Sequence, residues 1–233
     1  MLQEKKIPDL VIFILIGIII GAGTVYGYYN LKNPPKEEKE SQTISKETFQ
    51  TGPNSENLSA EAAAYIKFKE IKNFFIPKGT PSVYGQELDI YFDEVQDAIN
   101  KTAIFDPTYG NEGKKIALTD LTTAELERYK KIGASIACEF CCGVQTLVFE
   151  NGEAACGCDH SQMMRGLSAY LIKNHPEISN EQILEELKKW KITYFPKQTL
   201  SAELDKRVKA GEPGIEQILK EFPDFLPQMV GGC

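Results

Sequence analysis

The sequence predicts a mainly α-helical chain of the α+β class, with an N-terminal transmembrane helix followed by a helical domain that contains one small β-hairpin. Three observations lead to this fold. Residues 10–29 carry no charge, capping residues precede several segments of helical apolar spacing, and Asn151-Gly152 follows a run of β-branched and aromatic residues. Because cysteines flank that run, we expect the hairpin to carry a Cys/His cluster.

Residues 10–29 form the predicted membrane anchor, after a short flank at residues 1–9. As a helix this segment would be about 30 Å long, which matches the hydrocarbon core of a bilayer. Its length and the lack of a small-x-small cleavage site favour a retained anchor over a cleaved signal peptide. The sequons at Asn57 and Asn100 favour an extracytoplasmic C-terminal domain, so we expect a single-pass protein of the cell membrane.

Glycines within the anchor predict a contact between two copies of the chain. Gly17 with Gly21, and Gly23 with Gly27, make small-xxx-small pairs that could support a homodimer of the anchor helix. Residues 30–58 follow as a flexible linker, because they are rich in Pro, Lys, Glu and Ser and have little to bury. A Cys-rich globular domain then extends over residues 59–233.

The composition argues against several function classes. Asp and Glu outnumber Lys and Arg by 33 to 26, for a net charge of −7, which disfavours nucleic-acid binding. The sequence also lacks a phosphate-binding glycine loop, a Ser/His/Asp order and a paired-carboxylate motif. We therefore assign no catalytic residue, and we expect a binding or structural role rather than an enzyme.

Capping residues and apolar spacing place the elements of the domain. Ser59, the Thr122/Glu125 capping box and the Ser179/Gln182 capping box each mark the start of a helix. The predicted helices cover residues 60–75, 93–101, 123–142, 160–174, 180–191, 201–211 and 214–221. Extended segments are expected at residues 83–91, 115–118 and 144–150, and a turn at residues 106–110.

Five of the six cysteines and one of the two histidines lie between Cys138 and His160. In the predicted helix over residues 123–142, Cys138, Cys141 and Cys142 fall within an arc of about 100° on the last turn. Three thiols would therefore lie on the same side of the helix end.

The predicted hairpin brings the remaining cysteines to the same place. A two-residue turn at residues 151–152 would place its returning strand beside the cysteine helix, with Cys156 and Cys158 on one face. Asp159 is the expected N-cap of the next helix, which puts His160 in its first turn. The expected cross-strand pairs are Glu150 with Glu153, Leu147 with Cys156, and Gln145 with Cys158.

Three interpretations of the cluster stay open at this point. Disulfides are awkward between neighbouring cysteines, although disulfides between different elements are feasible. Reactive thiols are disfavoured at a helix C-terminus, where the dipole raises the thiol pKa, and only Cys158 lies near a helix N-terminus. A bound metal ion is favoured, because it would neutralise the clustered thiolates.

The donor set suits zinc or copper(I). Zinc needs four ligands, and the remaining donors, Cys141 and His160, would then serve a second site or support the first. Copper(I) suits the excess of thiolates, whereas Met163 and Met164 are better explained by core packing. An iron–sulfur cluster fits the number of cysteines but not a familiar spacing. The candidate zinc ligands are Cys138, Cys142, Cys156 and Cys158.

The last residue, Cys233, follows two glycines that would allow the tail to fold back to the same centre. His175 precedes a proline and is interpreted as a helix-end residue rather than a ligand. The full set of predicted metal ligands is Cys138, Cys141, Cys142, Cys156, Cys158, His160 and Cys233.

Residues 110–190 resemble an uncharacterised archaeal family of single-pass membrane proteins. The resemblance rests on IACEFCCG at residues 136–143, ACGCDHSQMMRGL at residues 155–167 and the terminal VGGC. A looser similarity, to bacterial surface lipoproteins with a Pro-Cys-Tyr-Cys-Gly-Cys motif, covers Cys156-Gly157-Cys158 and His160. The first similarity implies a membrane protein, and the second implies metal binding.

We therefore expect a membrane-anchored extracytoplasmic protein that binds zinc or copper(I) in a structural or metal-handling role. A thiol–disulfide or iron–sulfur electron-transfer protein is one alternative. A surface filament subunit that polymerises through its apolar N-terminal helix is another.

Overall fold

A computed structural model describes residues 59–110 and 113–232. Within these residues the fold is helical. The α-helices in chain order are α1 (Ala60–Phe75), α2 (Gly85–Leu88), α3 (Val95–Ala103), α4 (Thr123–Gly133), α5 (Asp159–Asn174), α6 (Asn180–Tyr194), α7 (Pro196–Lys209) and α8 (Ile215–Glu221). Two 3₁₀ turns cover Leu118–Asp120 and Pro223–Phe225.

The two capping boxes begin their helices as predicted. Thr122 Oγ1 accepts a hydrogen bond from Glu125 N at 3.3 Å, and the Glu125 carboxylate accepts one from Thr122 N at 2.7 Å. Ser179 and Gln182 form the same reciprocal pair. Each pair satisfies N–H groups that lack an intrahelical partner, so α4 and α6 begin where local sequence places them.

Helix α5 runs through the main hydrophobic core and packs against α3, α4 and α6. Gly166 allows its closest approach to α3, because a Cβ at this position would lie 2.3 Å from the carbonyl oxygen of Thr102. Met163 and Met164 are fully buried in this helix, in agreement with core packing. The N-terminus of α5 is therefore held firmly within the molecule.

A second, smaller core joins α1 to α7 and α8. Phe68 of α1 packs there with Leu200 and Leu204 of α7. Phe68 also stacks on Phe222, with ring centroids 5.2 Å apart. Burial of these apolar side chains explains why α1 forms at the predicted residues.

A buried ion pair joins α5 to the turn that follows α3. Arg165 Nη2 donates to Asp106 Oδ2 at 2.7 Å, and both side chains are 0% exposed. Asp106 also accepts hydrogen bonds from the backbone N–H and the hydroxyl of Thr108. These bonds offset the cost of removing both charges from water.

The predicted β-hairpin is wrong, and with it the α+β class. The described residues contain no strand or sheet, and a single antiparallel bridge between Val148 and Ala154 stands in place of the hairpin. Residues 83–91 and 115–118 are not strands either. In the first of these segments, Tyr84 is buried against α6, where its hydroxyl accepts a hydrogen bond from Trp190 Nε1 at 2.8 Å.

Several helix boundaries also differ from the prediction. Helix α4 ends at Gly133 rather than at residue 142, for a reason described below. Helix α7 starts at Pro196 rather than at residue 201. Proline is favoured at the first position of a helix because the missing N–H would have no partner there.

No helix in the described part of the chain is both long and apolar enough to cross a bilayer. The predicted anchor at residues 10–29, its flank at residues 1–9 and the linker at residues 30–58 lie outside the described residues. The anchor, its dimer contact and its orientation therefore stay predictions.

We expect Asp106→Ala to lower the free energy of unfolding by about 3–5 kcal/mol, because it leaves the Arg165 charge buried without its carboxylate. Denaturant unfolding of the full chain, followed by circular dichroism, measures this change. Glu216→Ala is the control, since it removes an exposed partner of Lys220 and should change the free energy by less than about 1 kcal/mol. Equal losses in both variants would contradict the role given to the buried pair.

Candidate metal centre

The cysteine-bearing chain leaves α4 at Gly133. The Gly133 carbonyl oxygen accepts a hydrogen bond from Leu147 N at 2.8 Å rather than from a further helical turn. A Cβ on Gly133 would lie 2.5 Å from Val148 Cγ2, so the loop packs directly against the helix end. The expected arc of three thiols on the last turn of the helix is therefore wrong, and those thiols lie in the non-helical segment at residues 136–142.

This segment is docked on α6 and the start of α7. Its backbone reverses at Glu139, which has a φ of 66°, and at Gly143, with a φ of 69°. The Glu139 carboxylate forms an ion pair with Lys191. Phe140 packs edge-on against Phe195, with ring centroids 5.3 Å apart. These contacts set the direction in which the neighbouring cysteine side chains leave the backbone.

A turn forms around Gly152, but the residues that pair across it are shifted by one position from the prediction. Phe149 N donates to Glu153 O at 2.8 Å, which leaves three residues rather than two in the loop. Gly152 has a φ of 90°, the left-handed conformation that three-residue hairpin loops use. The expected pairing of Leu147 with Cys156 therefore does not occur, because register decides which residues face each other.

Arg165 fixes both arms of this loop to α5. Its Nη1 donates to the carbonyl oxygen of Cys156 at 2.7 Å and to that of Leu147 at 3.4 Å. Sequence analysis missed both Arg165 and its partner Asp106. The sequence did contain one indication of this pair. Arg165 lies in a largely apolar stretch of a predicted helix, and a buried charged side chain is rare unless an opposite charge is paired with it.

Cys158, rather than Asp159, is the N-cap of α5. Its Sγ accepts a hydrogen bond from Ser161 N at 3.4 Å and lies 3.4 Å from Ser161 Oγ. The positive end of a helix dipole favours negative charge, so this helix end stabilises the charge that Cys158 shares with its neighbour Cys138. Sequence reasoning had placed Cys158 near this helix end but not at the cap itself.

Four sulfur atoms meet beside this helix end, those of Cys138, Cys142, Cys156 and Cys158, and all lie within 4.8 Å of one another. Cys138 Sγ and Cys158 Sγ are 3.6 Å apart, whereas Cys142 and Cys156 form a disulfide. In a tetrahedral zinc site with Zn–S bonds of about 2.3 Å, neighbouring sulfurs lie about 3.8 Å apart. The Cys138–Cys158 separation thus suits one ion bound by both sulfurs.

A hydrogen bond between the two thiols moves their pKa values in opposite directions. The bond to Cys158 lowers the pKa of Cys138 to about 5, against the effect of burial and with help from Ser161. The same bond, together with burial, raises the pKa of Cys158. The hydrogen bond therefore favours negative charge on Cys138 and a proton on Cys158, and such a charge would attract a cation.

Tyr194 lies near the buried side of the cluster, where the thiol charges act on its hydroxyl. Tyr194 is fully buried, and burial first, then the charges of Cys158 and Cys138, raise the pKa of its hydroxyl, which stays neutral. Cys142 is exposed and gives the cluster an opening to solvent. Electrostatic attraction between a cation and thiolates is stronger in such a partly dry site than in water.

A second group of donors adjoins the first and shares one sulfur with it. The ligand atoms of Cys141, Cys158 and His160 all lie within 4.8 Å of one another. Cys141 is half-buried and disulfide-bonded, and His160 is fully buried. The structure thus brings together six of the predicted ligands, while Cys233 lies outside the described residues.

Comparisons with known proteins give no relative: no family model matches the chain, and no curated protein or solved structure matches it significantly. The similarity to the archaeal family therefore stays a prediction.

We expect ultraviolet thiolate absorbance of the metal-free, non-reduced full chain to show a step near pH 5, because the hydrogen bond from Cys158 stabilises the Cys138 thiolate. In Cys158→Ser that sulfur is lost while the N-cap is kept, since serine is a favoured cap. The step should then move to higher pH, toward the value of about 8.5 of an ordinary thiol. A wild-type chain without a step below pH 7 would contradict this assignment.

Proposed function

We propose that the chain binds a soft metal ion, zinc or copper(I), through the thiolates of Cys138, Cys142, Cys156 and Cys158. The observation that carries the proposal is the gathering of these four sulfurs within 4.8 Å of one another. Thiolate ligands select zinc and copper(I) over the hard cations calcium and magnesium. The role is structural or metal-handling, and the apolar segment at residues 10–29 would keep the domain on the external side of a membrane.

The negative charge of the thiolates is the physical reason to expect a bound cation at this site. Clustered thiolates repel one another, and the protons they share in the metal-free state are displaced when a metal binds. Tyr194, which is buried beside them, keeps a neutral hydroxyl and does not offset this negative charge. A metal ion at the centre of four sulfurs would offset this repulsion and join the loop at residues 136–142 to the N-terminus of α5.

The spacing also limits the size of what can bind. After reduction of the Cys142–Cys156 disulfide, sulfurs gathered this closely could all bind one ion through metal–sulfur bonds of about 2.3 Å. An iron–sulfur cluster would need room for several irons and bridging sulfides among the same ligands. A single metal ion therefore fits the four-sulfur site better than an iron–sulfur cluster does.

A second candidate function is thiol–disulfide exchange, which the Cys142–Cys156 disulfide beside the Cys138 and Cys158 thiols favours. A thiol reagent from solution can reach the exposed Cys142. Attack there would open the disulfide, form a mixed disulfide at Cys142 and release the Cys156 thiolate. The two functions exclude each other at any moment, because a sulfur in a disulfide is not a thiolate ligand.

Metal analysis of the full chain tests the proposal. We expect the protein, reduced with a phosphine and loaded with zinc under anaerobic conditions, to hold zinc through gel filtration. Cys138→Ser should weaken zinc at the four-sulfur site by more than about 100-fold, because even loss of a supporting residue costs 10–100-fold. Cys141→Ser is the matched control and should retain zinc there, since Cys141 is not one of the four sulfurs.

The oxidised chain, unlike the reduced chain, should bind zinc only weakly. With the Cys142–Cys156 disulfide intact, two of the four ligands are missing, so we expect the non-reduced chain to lose zinc to a mild chelator. Thiol counting before and after chelation checks this, since zinc protects the thiols that it binds. A reduced chain that holds no metal, but whose disulfide is re-formed by a small disulfide reagent, would favour the exchange function instead.

A further inference from the structure

His160 has an unusual environment for a buried histidine. Its ring is 0% exposed and packs against Tyr194 and Phe195, with centroids 4.4 Å and 5.1 Å away. Its Nε2 lies 2.9 Å from the carbonyl oxygen of Val230. Its Nδ1 is buried and has no hydrogen-bond partner among the described residues.

These contacts fix the tautomer of the ring. A carbonyl oxygen only accepts hydrogen bonds, so Nε2 carries the proton and donates it to Val230. Nδ1 then presents a lone pair. A buried acceptor without a donor is unfavourable, and it is a condition that native proteins rarely maintain unless a further group is bound there.

The segment that supplies the carbonyl is itself held in place. Val230 N donates to Tyr194 O at 2.9 Å, and Gly232 N donates to Gln96 Oε1 at 3.0 Å. Gly231 lies close to the ring, because a Cβ at this position would lie 3.4 Å from His160 Nε2. The imidazole is thus oriented before any ligand arrives. Metal-binding histidines are commonly oriented in this way, by donating the second ring N–H to a backbone carbonyl.

One ring nitrogen of His160 belongs to a group of soft donors. The sulfurs of Cys141 and Cys158 and the ligand nitrogen of His160 lie within 4.8 Å of one another. Nε2 is engaged by Val230, which leaves Nδ1 as the nitrogen that can bind. Cys158 is also one of the four sulfurs of the first site, and a thiolate has lone pairs for two metal ions.

From this geometry we infer a second metal position, in which His160 Nδ1 and the Cys141 and Cys158 thiolates bind a second soft ion. Cys158 then bridges the two ions, and the reduced chain holds a binuclear zinc or copper(I) centre. The inference rests on the proposed function of the first site. Because Cys141 is disulfide-bonded in the structure, the second position forms only after reduction, as the first does.

Metal stoichiometry provides the test. We expect native mass spectrometry of the full chain, reduced and titrated with zinc, to reach two zinc ions per chain. His160→Gln should reach one, because it removes the nitrogen of the second position and leaves the four sulfurs intact. His175→Gln is the matched control and should keep two, since His175 pairs with Glu87 and Glu177 at the surface.

The outcomes separate the two proposals. A wild-type chain that stops at one zinc, or a His160→Gln variant that still binds two, would overturn the second position while the four-sulfur site stands. A reduced chain that binds no zinc would overturn both. Loss of one zinc in His160→Gln alone supports the binuclear centre.

A second measurement keeps the inference testable if the His160→Gln variant does not fold. Cadmium-113 replaces zinc at thiolate sites and has a nuclear spin. In the wild-type chain with nitrogen-15-labelled histidine, we expect His160 Nδ1, and neither nitrogen of His175, to show coupling to bound cadmium. An uncoupled Nδ1 in the cadmium-loaded chain would show that His160 only packs, and would overturn the second position.

Discussion

The buried ion pair between Asp106 and Arg165 constrains two of the segments that carry the candidate site, the loop that contains Cys156 and the helix that begins after Cys158. Asp106 holds the turn after α3, while Arg165 reaches from α5 to the carbonyl oxygens of Leu147 and Cys156. A guanidinium can donate hydrogen bonds to a carboxylate and two carbonyl oxygens at once, because it has five N–H donors in one plane. The loop that carries Cys156 is therefore fixed relative to the helix that begins after Cys158, without support from a β-sheet.

The oxidation state of the cluster decides what it can do. Cys142 and Cys156 can be bonded to each other or can bind a metal, but not both, and the structure contains the disulfide beside the Cys138 and Cys158 thiols. Metal binding and thiol–disulfide exchange are thus two uses of the same atoms under different conditions. Cys158 is fixed beside this disulfide because it caps α5, which is packed in the main core.

Local sequence rules succeeded where neighbouring residues decide the conformation. The capping boxes at Thr122 and Ser179 were predictable, because each joins residues three positions apart. The end of α4 was not predictable from neighbouring residues. The chain reverses after this helix, and the Gly133 carbonyl oxygen accepts its hydrogen bond from Leu147 N on the returning segment. The hairpin register failed for a related reason: Gly152 allows two- and three-residue loops, and packing against α4 selected the longer one.

The sequence by itself determined the helical character of the domain and the clustering of its cysteines between Cys138 and His160, because both follow from short-range spacing. The tertiary structure alone decided which sulfurs lie within reach of one another, that Cys142 is bonded to Cys156, and which nitrogen of His160 keeps a lone pair. Those outcomes depend on contacts between residues far apart in the chain, such as His160 with Val230 and Arg165 with Asp106. The free energy of such contacts is set by packing and burial, which spacing along the sequence does not encode.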